Sequence, residues 1–220
     1  MAKILGVLGG MGPAATVAFL ARVQALTPAK GDADHIRVLM DMNPQVPDRN
    51  KTPALAEAVL GEMAVRLREA GAEVLAMPCN TAHAQASGIV ASGLPFIDMI
   101  EETTAVVVAS GATRVGVLAT PGGEALYVAA LEAVGVRAVL LEGADREAFM
   151  ARVYGVKAGD VGETARGRMK ELAAGLVARG AEGIVAGCTE VPLLLAQTDV
   201  TVPLIDSAEV LARVCVERCL

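Results

Sequence analysis

Aromatic side chains are nearly missing from this sequence. It has no Trp, three Phe and two Tyr, 2% aromatic in all. Modules that bind single-stranded nucleic acid by base stacking need more than that. Runs of Lys and Arg are missing too, and the formal net charge is −6. Nucleic acid and anionic membrane are therefore excluded as partners. No apolar stretch reaches the roughly 20 residues of a membrane span. The first apolar segment is broken by glycines and carries no cleavage-site pattern, so it reads as a buried strand and not as a secretory signal. Four cysteines without such a signal point to reduced thiols and a cytoplasmic location.

What is present is apolar. Hydrophobic residues make up 54% of 220 positions, enough for a substantial core, and disorder is excluded. With so few aromatics the interior must be built from Ala, Val, Leu and Met, which suits an α/β protein. The length fits one domain or two small ones.

Two stretches look like one stretch written twice. Gly71-Ala-Glu-Val-Leu-Ala-Met-Pro-Cys79-Asn80-Thr81-Ala-His83 resembles Gly180-Ala-Glu-Gly-Ile-Val-Ala-Gly-Cys188-Thr189-Glu190. Gly71 and Gly180 are 109 positions apart, and so are Cys79 and Cys188. Lys3-Ile-Leu-Gly-Val-Leu-Gly9 recurs as Thr113-Arg-Val-Gly-Val-Leu-Ala-Thr120, and Leu94-Pro-Phe-Ile-Asp98 as Val202-Pro-Leu-Ile-Asp206. Chance does not repeat four landmarks at a nearly constant offset. The fold class is therefore α/β, with two pseudosymmetric α/β domains. Each is a roughly four-stranded parallel sheet flanked by helices, with the active site between them. The boundaries predicted are 1–98 plus 208–220 for the first domain and 99–207 for the second.

Along the chain, strands are predicted at residues 3–9, 35–41, 74–77, 94–98, 113–120, 138–141 and around 184 and 204. Helices are predicted over 14–26, 53–70, 82–90, 99–110, 126–134, 162–179 and from Ser207 onward. Gly10-Met11-Gly12-Pro13-Ala14-Ala15 fits a loose dinucleotide-binding pattern, but a tight strand-to-helix turn accounts for it without a ligand. The loop Asn43-Pro-Gln-Val-Pro-Asp48-Arg49-Asn50 stands at a strand end, where α/β folds carry function. Asp48 and Arg49 there are either a solvated pair or a guanidinium fork for a carboxylate.

Ligands of open parallel sheets bind beyond the carboxyl ends of the strands, which is where Cys79 and Cys188 fall. A helix N-terminus after each cysteine is expected to lower the thiol pKa and favour thiolate. Its amides, with Asn80, Thr81 and Thr189, would hold a carboxylate. Two opposed thiols suit a symmetric proton exchange, in which one thiolate removes a proton from carbon and the other thiol returns one to the opposite face. Cys215 and Cys219 have no loop or polar partners and read as packing residues. Cys79 and His83 have helical ligand spacing, but a metal site needs more ligands and none is expected. His83 reads as a site-wall or helix-capping residue.

At these residues the chain resembles the aspartate/glutamate racemase superfamily, within the aspartate racemase branch. The motifs carrying the likeness are Gly9-Gly10-Met11-Gly12-Pro13-Ala14-Ala15-Thr16, Pro47-Asp48-Arg49, Pro78-Cys79-Asn80-Thr81-Ala82-His83, Leu118-Ala119-Thr120, Tyr154-Gly155-Val156-Lys157-Ala158-Gly159 and Gly187-Cys188-Thr189-Glu190. The resemblance implies a cofactor-independent racemase of a dicarboxylic amino acid, usually a homodimer. It implies Cys79 and Cys188 as acid and base. Asn80, Thr81 and Thr189 would contact the α-carboxylate and amino group, Arg49 and Lys157 the distal carboxylate, and Thr120 and Met11 the pocket. Asp48, His83 and Glu190 would support them.

Cys188-Thr189-Glu190, where glutamate racemases typically have Cys-Thr-His, favours the aspartate branch. That branch also holds broad-specificity enzymes. Pro121-Gly122-Gly123 stands where the family usually has a Gly-Thr pair, so one pocket hydroxyl is missing. The competing readings are a hydantoin racemase or maleate isomerase on the same fold, a binding module with a dead site, and a nucleotide-dependent oxidoreductase resting on Gly10 and Gly12. A pyridoxal phosphate enzyme using Lys157 would leave the paired thiols without a role.

Overall fold

The computed structural model describes residues 2–49 and 51–220; Asn50 of the Asp48–Arg49 loop lies outside them. The chain divides into two compact units, one running to Glu102 and including Ala208–Leu220, the other Thr103–Ser207.

The first unit contains β1 (Leu5–Gly9), α1 (Pro13–Leu26), β2 (Val38–Met42), α2 (Pro53–Glu69), β3 (Val74–Ala76), α3 (Ala86–Val90) and β4 (Phe96–Ile97). Helix α4 (Met99–Ala109) leads into the second unit. There follow β5 (Arg114–Leu118), α5 (Pro121–Ala133), β6 (Arg137–Leu140), α6 (Gly143–Lys157), α7 (Glu163–Ala178), β7 (Gly183–Ala186) and β8 (Leu204–Asp206), then α8 (Ser207–Cys219). Each unit has a four-stranded, all-parallel sheet, in the orders β2-β1-β3-β4 and β6-β5-β7-β8.

Strand alternation divides the first core in two. Leu5 and Val7 of β1 and Val74 and Ala76 of β3 pack with Phe19 of α1 and with Leu211, Cys215 and Val216 of α8. Leu8, Leu75 and Met77 point to the other face, against Leu60, Met63 and Leu67 of α2. A sheet covered on both faces explains why β1 and β3 are apolar throughout. In the second unit Ile184, Ala186 and Leu118 pack with Leu172 and Leu176 of α7 and with Phe149 and Val153 of α6.

The repeated Gly-Ala-Glu has a physical cause. Gly71 and Gly180 end α2 and α7 at φ of 99° and 87°, a region that glycine enters without a Cβ penalty. Their N–H groups donate to Arg68 O and Val177 O, and the next residues, Ala72 and Ala181, donate to Leu67 O and Leu176 O. These are the paired bonds of a Schellman stop. The glutamates then turn to the neighbouring strand. Glu73 Oε2 accepts from Ile4 N–H at 2.9 Å, and Glu182 Oε2 from Thr113 N–H at 2.6 Å.

Three differences from the sequence expectation stand out. Residues 143–157, given no element beforehand, form helix α6, which has no counterpart between β2 and α2. The helix expected over 82–90 is a 3-10 turn, Thr81–Gln85, followed by the short α3. Strand β2 begins at Val38 and not at His35, because Asp32–Asp34 coil into a 3-10 turn held by Asp34 Oδ2 on two backbone N–H groups.

The central strands β1 and β5 leave no space beneath α2 and α7. A Cβ on Gly6 would stand 2.7 Å from Leu75 Cδ2 and 2.8 Å from Ala72 Cβ, and on Gly116 it would stand 2.7 Å from Ile184 Cδ1 and 2.9 Å from Leu176 Cβ. Gly116→Ala should therefore lower the unfolding free energy by about 1–3 kcal/mol, the usual cost of overpacking. A denaturant melt with an unchanged midpoint would show that α7 is not pressed onto β5.

Candidate active site

In the first unit three strand ends carry the candidate residues. After β1 the chain turns at Gly9-Gly10-Met11-Gly12. Thr16 Oγ1 accepts from Gly10 N–H at 3.0 Å and donates to Gly12 O at 2.9 Å. A Cβ on Gly10 would stand 2.5–2.6 Å from the backbone of Asn43. The glycines of this turn serve chain packing on chain, which is the ligand-free reading of the dinucleotide-like pattern. Met11 is buried in one cluster with Val46 and Cys79.

After β2, the main chain at Asp48 starts the turn into α2, its carbonyl accepting from Thr52 N–H at 2.8 Å. Arg49 is half-buried. Its Nη1 donates to Pro47 O at 3.4 Å, and among the described residues its buried Nε has no hydrogen-bond partner. An orphaned guanidinium N–H is costly unless something else takes the bond.

After β3, Cys79 N–H donates back to Met77 O at 2.8 Å. Cys79 and Asn80 are buried, and Thr81 half-buried. His83 holds the turn. Met99 N–H donates to its Nε2 at 3.1 Å, so Nε2 carries the lone pair. Nδ1 then carries the proton and donates to Cys79 O at 2.9 Å. Burial lowers the His83 pKa, opposed by Asp98 and by the main chain at Cys79 and Asn80, which fits a neutral ring. Asp98 Oδ1 accepts from Ile100 and Glu101 N–H at 2.8 and 3.1 Å, so His83 and Asp98 together cap α4.

In the second unit Thr120 is the buried N-cap residue of α5. Lys157 is the last residue of α6 and is exposed. Cys188 follows β7, with Thr189 and Glu190 also buried. The Cys188 thiol donates to Glu190 Oε2 at 2.9 Å, and Thr189 Oγ1 donates to the same oxygen at 3.4 Å.

The expected drop in thiol pKa does not hold at Cys188. Burial pushes this thiol well above the ordinary value of 9.0, the Glu190 carboxylate raises it further, and the Glu190 main chain and Lys157 only partly oppose them. Only a short 3-10 turn, Val191–Leu193, follows the cysteine, so there is little helix dipole to favour thiolate. Cys188 rests as a thiol with its proton shared toward a carboxylate.

One ion pair was not foreseen. Arg146 of α6 binds Glu124 in the first turn of α5, and its Nε donates to Leu141 O at 3.2 Å. Burial raises the Glu124 pKa while Arg146 works against it. The pair spans 22 residues of sequence and joins a helix that was itself unforeseen, so no local pattern announces it. All four cysteines are thiols, none in a disulfide. Among the described residues no group of three or more His, Cys, Asp or Glu side chains is arranged to hold a metal ion, and no helix is long and apolar enough to cross a membrane.

The Cys188–Glu190 contact makes a signed prediction. Glu190→Gln removes the charge that resists ionisation, so the pH midpoint for alkylation of Cys188 should move down. An unmoved midpoint would show that the carboxylate does not hold the proton. The linkage runs the same way. A raised thiol pKa gives stability that is complete below the unfolded value and is lost as pH rises through the folded one, so Glu190→Gln should flatten the alkaline fall in stability.

Comparison with known proteins gives a consistent picture. The model of a family described as Asp/Glu/Hydantoin racemase matches residues 8–215. The chain is 31% identical over 156 residues to a glutamate racemase of Synechococcus sp., covering 69% of this chain and 56% of that one. It is 33% identical over 107 residues to the broad specificity amino-acid racemase RacX of Bacillus subtilis, covering 46% and 47%. The chain thus matches about half the length of these curated relatives. Its structure superposes on Picrophilus torridus aspartate racemase with a TM-score of 0.88 at 28% identity, over 98% of this chain and 93% of that one.

Proposed function

Because the chain belongs to the Asp/Glu/Hydantoin racemase family, we propose that it is a cofactor-independent amino-acid racemase acting on aspartate, with Cys79 and Cys188 as its two acid–base groups. The observation that carries this reading is the doubled motif itself, a parallel strand closing on a buried cysteine followed by short polar residues, once in each unit. Cys188-Thr189-Glu190 and the likeness to an aspartate racemase over nearly the whole chain support aspartate over glutamate.

The reaction is a proton exchange. One sulfur, as thiolate, takes the α-proton, and the electron pair left on carbon spreads into the α-carboxylate as an enediolate. Asn80, Thr81 and Thr189 supply donors for that developing charge. The other thiol then delivers its proton to the opposite face. The stereocentre inverts, and the two sulfurs have exchanged protonation states. Glu190 gives the pair an asymmetric start, because it holds Cys188 in the acid form. In the reverse direction Cys188 acts as base in the thiolate form that the forward exchange leaves, and Cys79, then a thiol, returns the proton.

Arg49, with its unsatisfied Nε, binds the distal carboxylate as a fork, and Lys157 adds charge. Met11 and Thr120 line the pocket, while Asp48 and His83 position the turns. The enzyme works in this reading as a cytoplasmic homodimer. A second reading, a broad-specificity amino-acid racemase, is favoured by the match to RacX and by Pro121-Gly122-Gly123, which offers no side-chain hydroxyl.

Incubation with L-aspartate in D2O, followed by NMR, should show loss of the α-proton signal and appearance of the D enantiomer. Cys79→Ser and Cys188→Ser should each slow racemisation by about 10²–10⁴-fold, the usual worth of an acid–base group. Absence of exchange with any amino acid tested would overturn the proposal. Exchange with many neutral amino acids would favour the second reading. Arg49→Lys, which replaces a fork by a point charge, should raise KM for aspartate about tenfold and leave kcat within a few fold. A KM that does not move would remove Arg49 from the substrate.

A further inference from the structure

Three arginines gather where the mechanism has no use for them. Arg114 is the first residue of β5, Arg137 the first of β6, and Arg179 follows α7. With Ala138, Val139, Leu140 and Glu142 they line an open cavity of about 290 Å³ along the edge strand β6. Arg114 and Arg137 pair in register at the amino ends of their strands. Cys188 and Thr120 lie after the carboxyl ends of β7 and β5, so the arginine cluster belongs to the other end of the sheet.

The guanidiniums are only partly used by the protein. Arg114 Nη2 donates to Arg179 O at 2.6 Å, and its plane lies flat on Gly180, where a Cβ would stand 2.8–3.1 Å from it. Its Nε is buried without a hydrogen-bond partner. Arg179 Nε donates to Gly175 O at 3.3 Å. Arg137 is exposed, and among the described residues its side chain has neither hydrogen bond nor ion pair. Two carboxylates lie nearby. Glu182 is engaged with the N–H groups of Thr113 and Arg114. Glu142, the N-cap residue of α6, is the one carboxylate among the residues that line the cavity.

The duplication supplies an internal control. Where the second unit has Arg114 and Arg179, the equivalent positions of the first unit carry Ile4 and Ala70, while Arg37 matches Arg137. The same strand and helix ends therefore form without the first two arginines. The fold does not require them, yet they concentrate positive charge on a chain whose net charge is −6.

We infer that Arg114, Arg137 and Arg179 form a binding site for a phosphate-bearing small molecule, separate from the cysteine motifs. Forked N–H donors match the oxygens of a phosphate. Arg137 offers the open fork from the edge strand, and the guanidiniums of Arg114 and Arg179, which line the same cavity, add charge beside it. The inference does not depend on the proposed reaction, since it is read by binding alone.

The experiment titrates inorganic phosphate and pyrophosphate into the full-length, nitrogen-15-labelled protein and follows arginine Nε–Hε signals by NMR, with sodium chloride at matched ionic strength as control. Saturable shifts of the Arg114 and Arg137 signals are expected with the phosphates and not with chloride. Arg137→Gln, at an exposed side chain that bonds to nothing, should keep the fold and weaken phosphate binding by about tenfold. Arg114→Gln should weaken it at least as much. Excess aspartate should not displace the ligand. Shifts that chloride reproduces, an affinity unchanged in Arg137→Gln, or displacement by aspartate would each overturn the assignment.

Discussion

The tight seat of one helix on the central strand of each sheet governs the rest of the molecule. At Gly6 and Gly116 the strand backbone lies so close to the carboxyl ends of α2 and α7 and to side chains of the neighbouring strand that a methyl group has no room. That approach fixes α2 and α7 against β1 and β5. The helices then stop at Gly71 and Gly180 by the same pair of hydrogen bonds, and the glutamate two residues later pins the chain to the next strand. Only three or four residues of strand follow before Cys79 and Cys188. The positions of both thiols thus follow from where α2 and α7 end on the neighbouring strands β1 and β5.

The two halves share this frame and differ where chemistry would distinguish them. At Cys79 the turn is held by a neutral histidine that bonds the cysteine carbonyl. At Cys188 a buried carboxylate accepts from the thiol itself. The first half passes from β2 to α2 through a loop bearing Arg49, and the second inserts α6, which ends at Lys157. A duplicated scaffold has received different side chains at matching places. The consequence is that one of the two thiols, Cys188, has its own hydrogen-bond acceptor.

Much of the frame was legible in the sequence because its signals are local and repeat. Pro13 and Pro53 each open a helix, and the Gly-Ala-Glu stops recur 109 positions apart, whereas α5, expected from residue 126, already starts at Pro121. Helix α6 was not legible. Its sequence carries Gly143 and Gly155 and has no partner in the first half. The 3-10 turn at Thr81–Gln85 was missed because the ring of His83 must reach the Cys79 carbonyl four residues back, which pattern alone does not show. The thiol pKa was misjudged at Cys188 for a related reason. The expectation weighed a helix dipole, while the structure brings a carboxylate two residues away into contact with sulfur. The protonation of Cys188 was therefore not readable from the pattern of residues around it.

The central claim is that Cys79 and Cys188 serve one substrate molecule. It is tested most directly by alkylating the protein over a range of aspartate concentrations and following each cysteine separately by mass spectrometry, with buried Cys215 and Cys219 as internal references. The account predicts that Cys79 and Cys188 are protected together, with the same half-protecting concentration. Protection of one thiol alone, or of the two at clearly different concentrations, would contradict it.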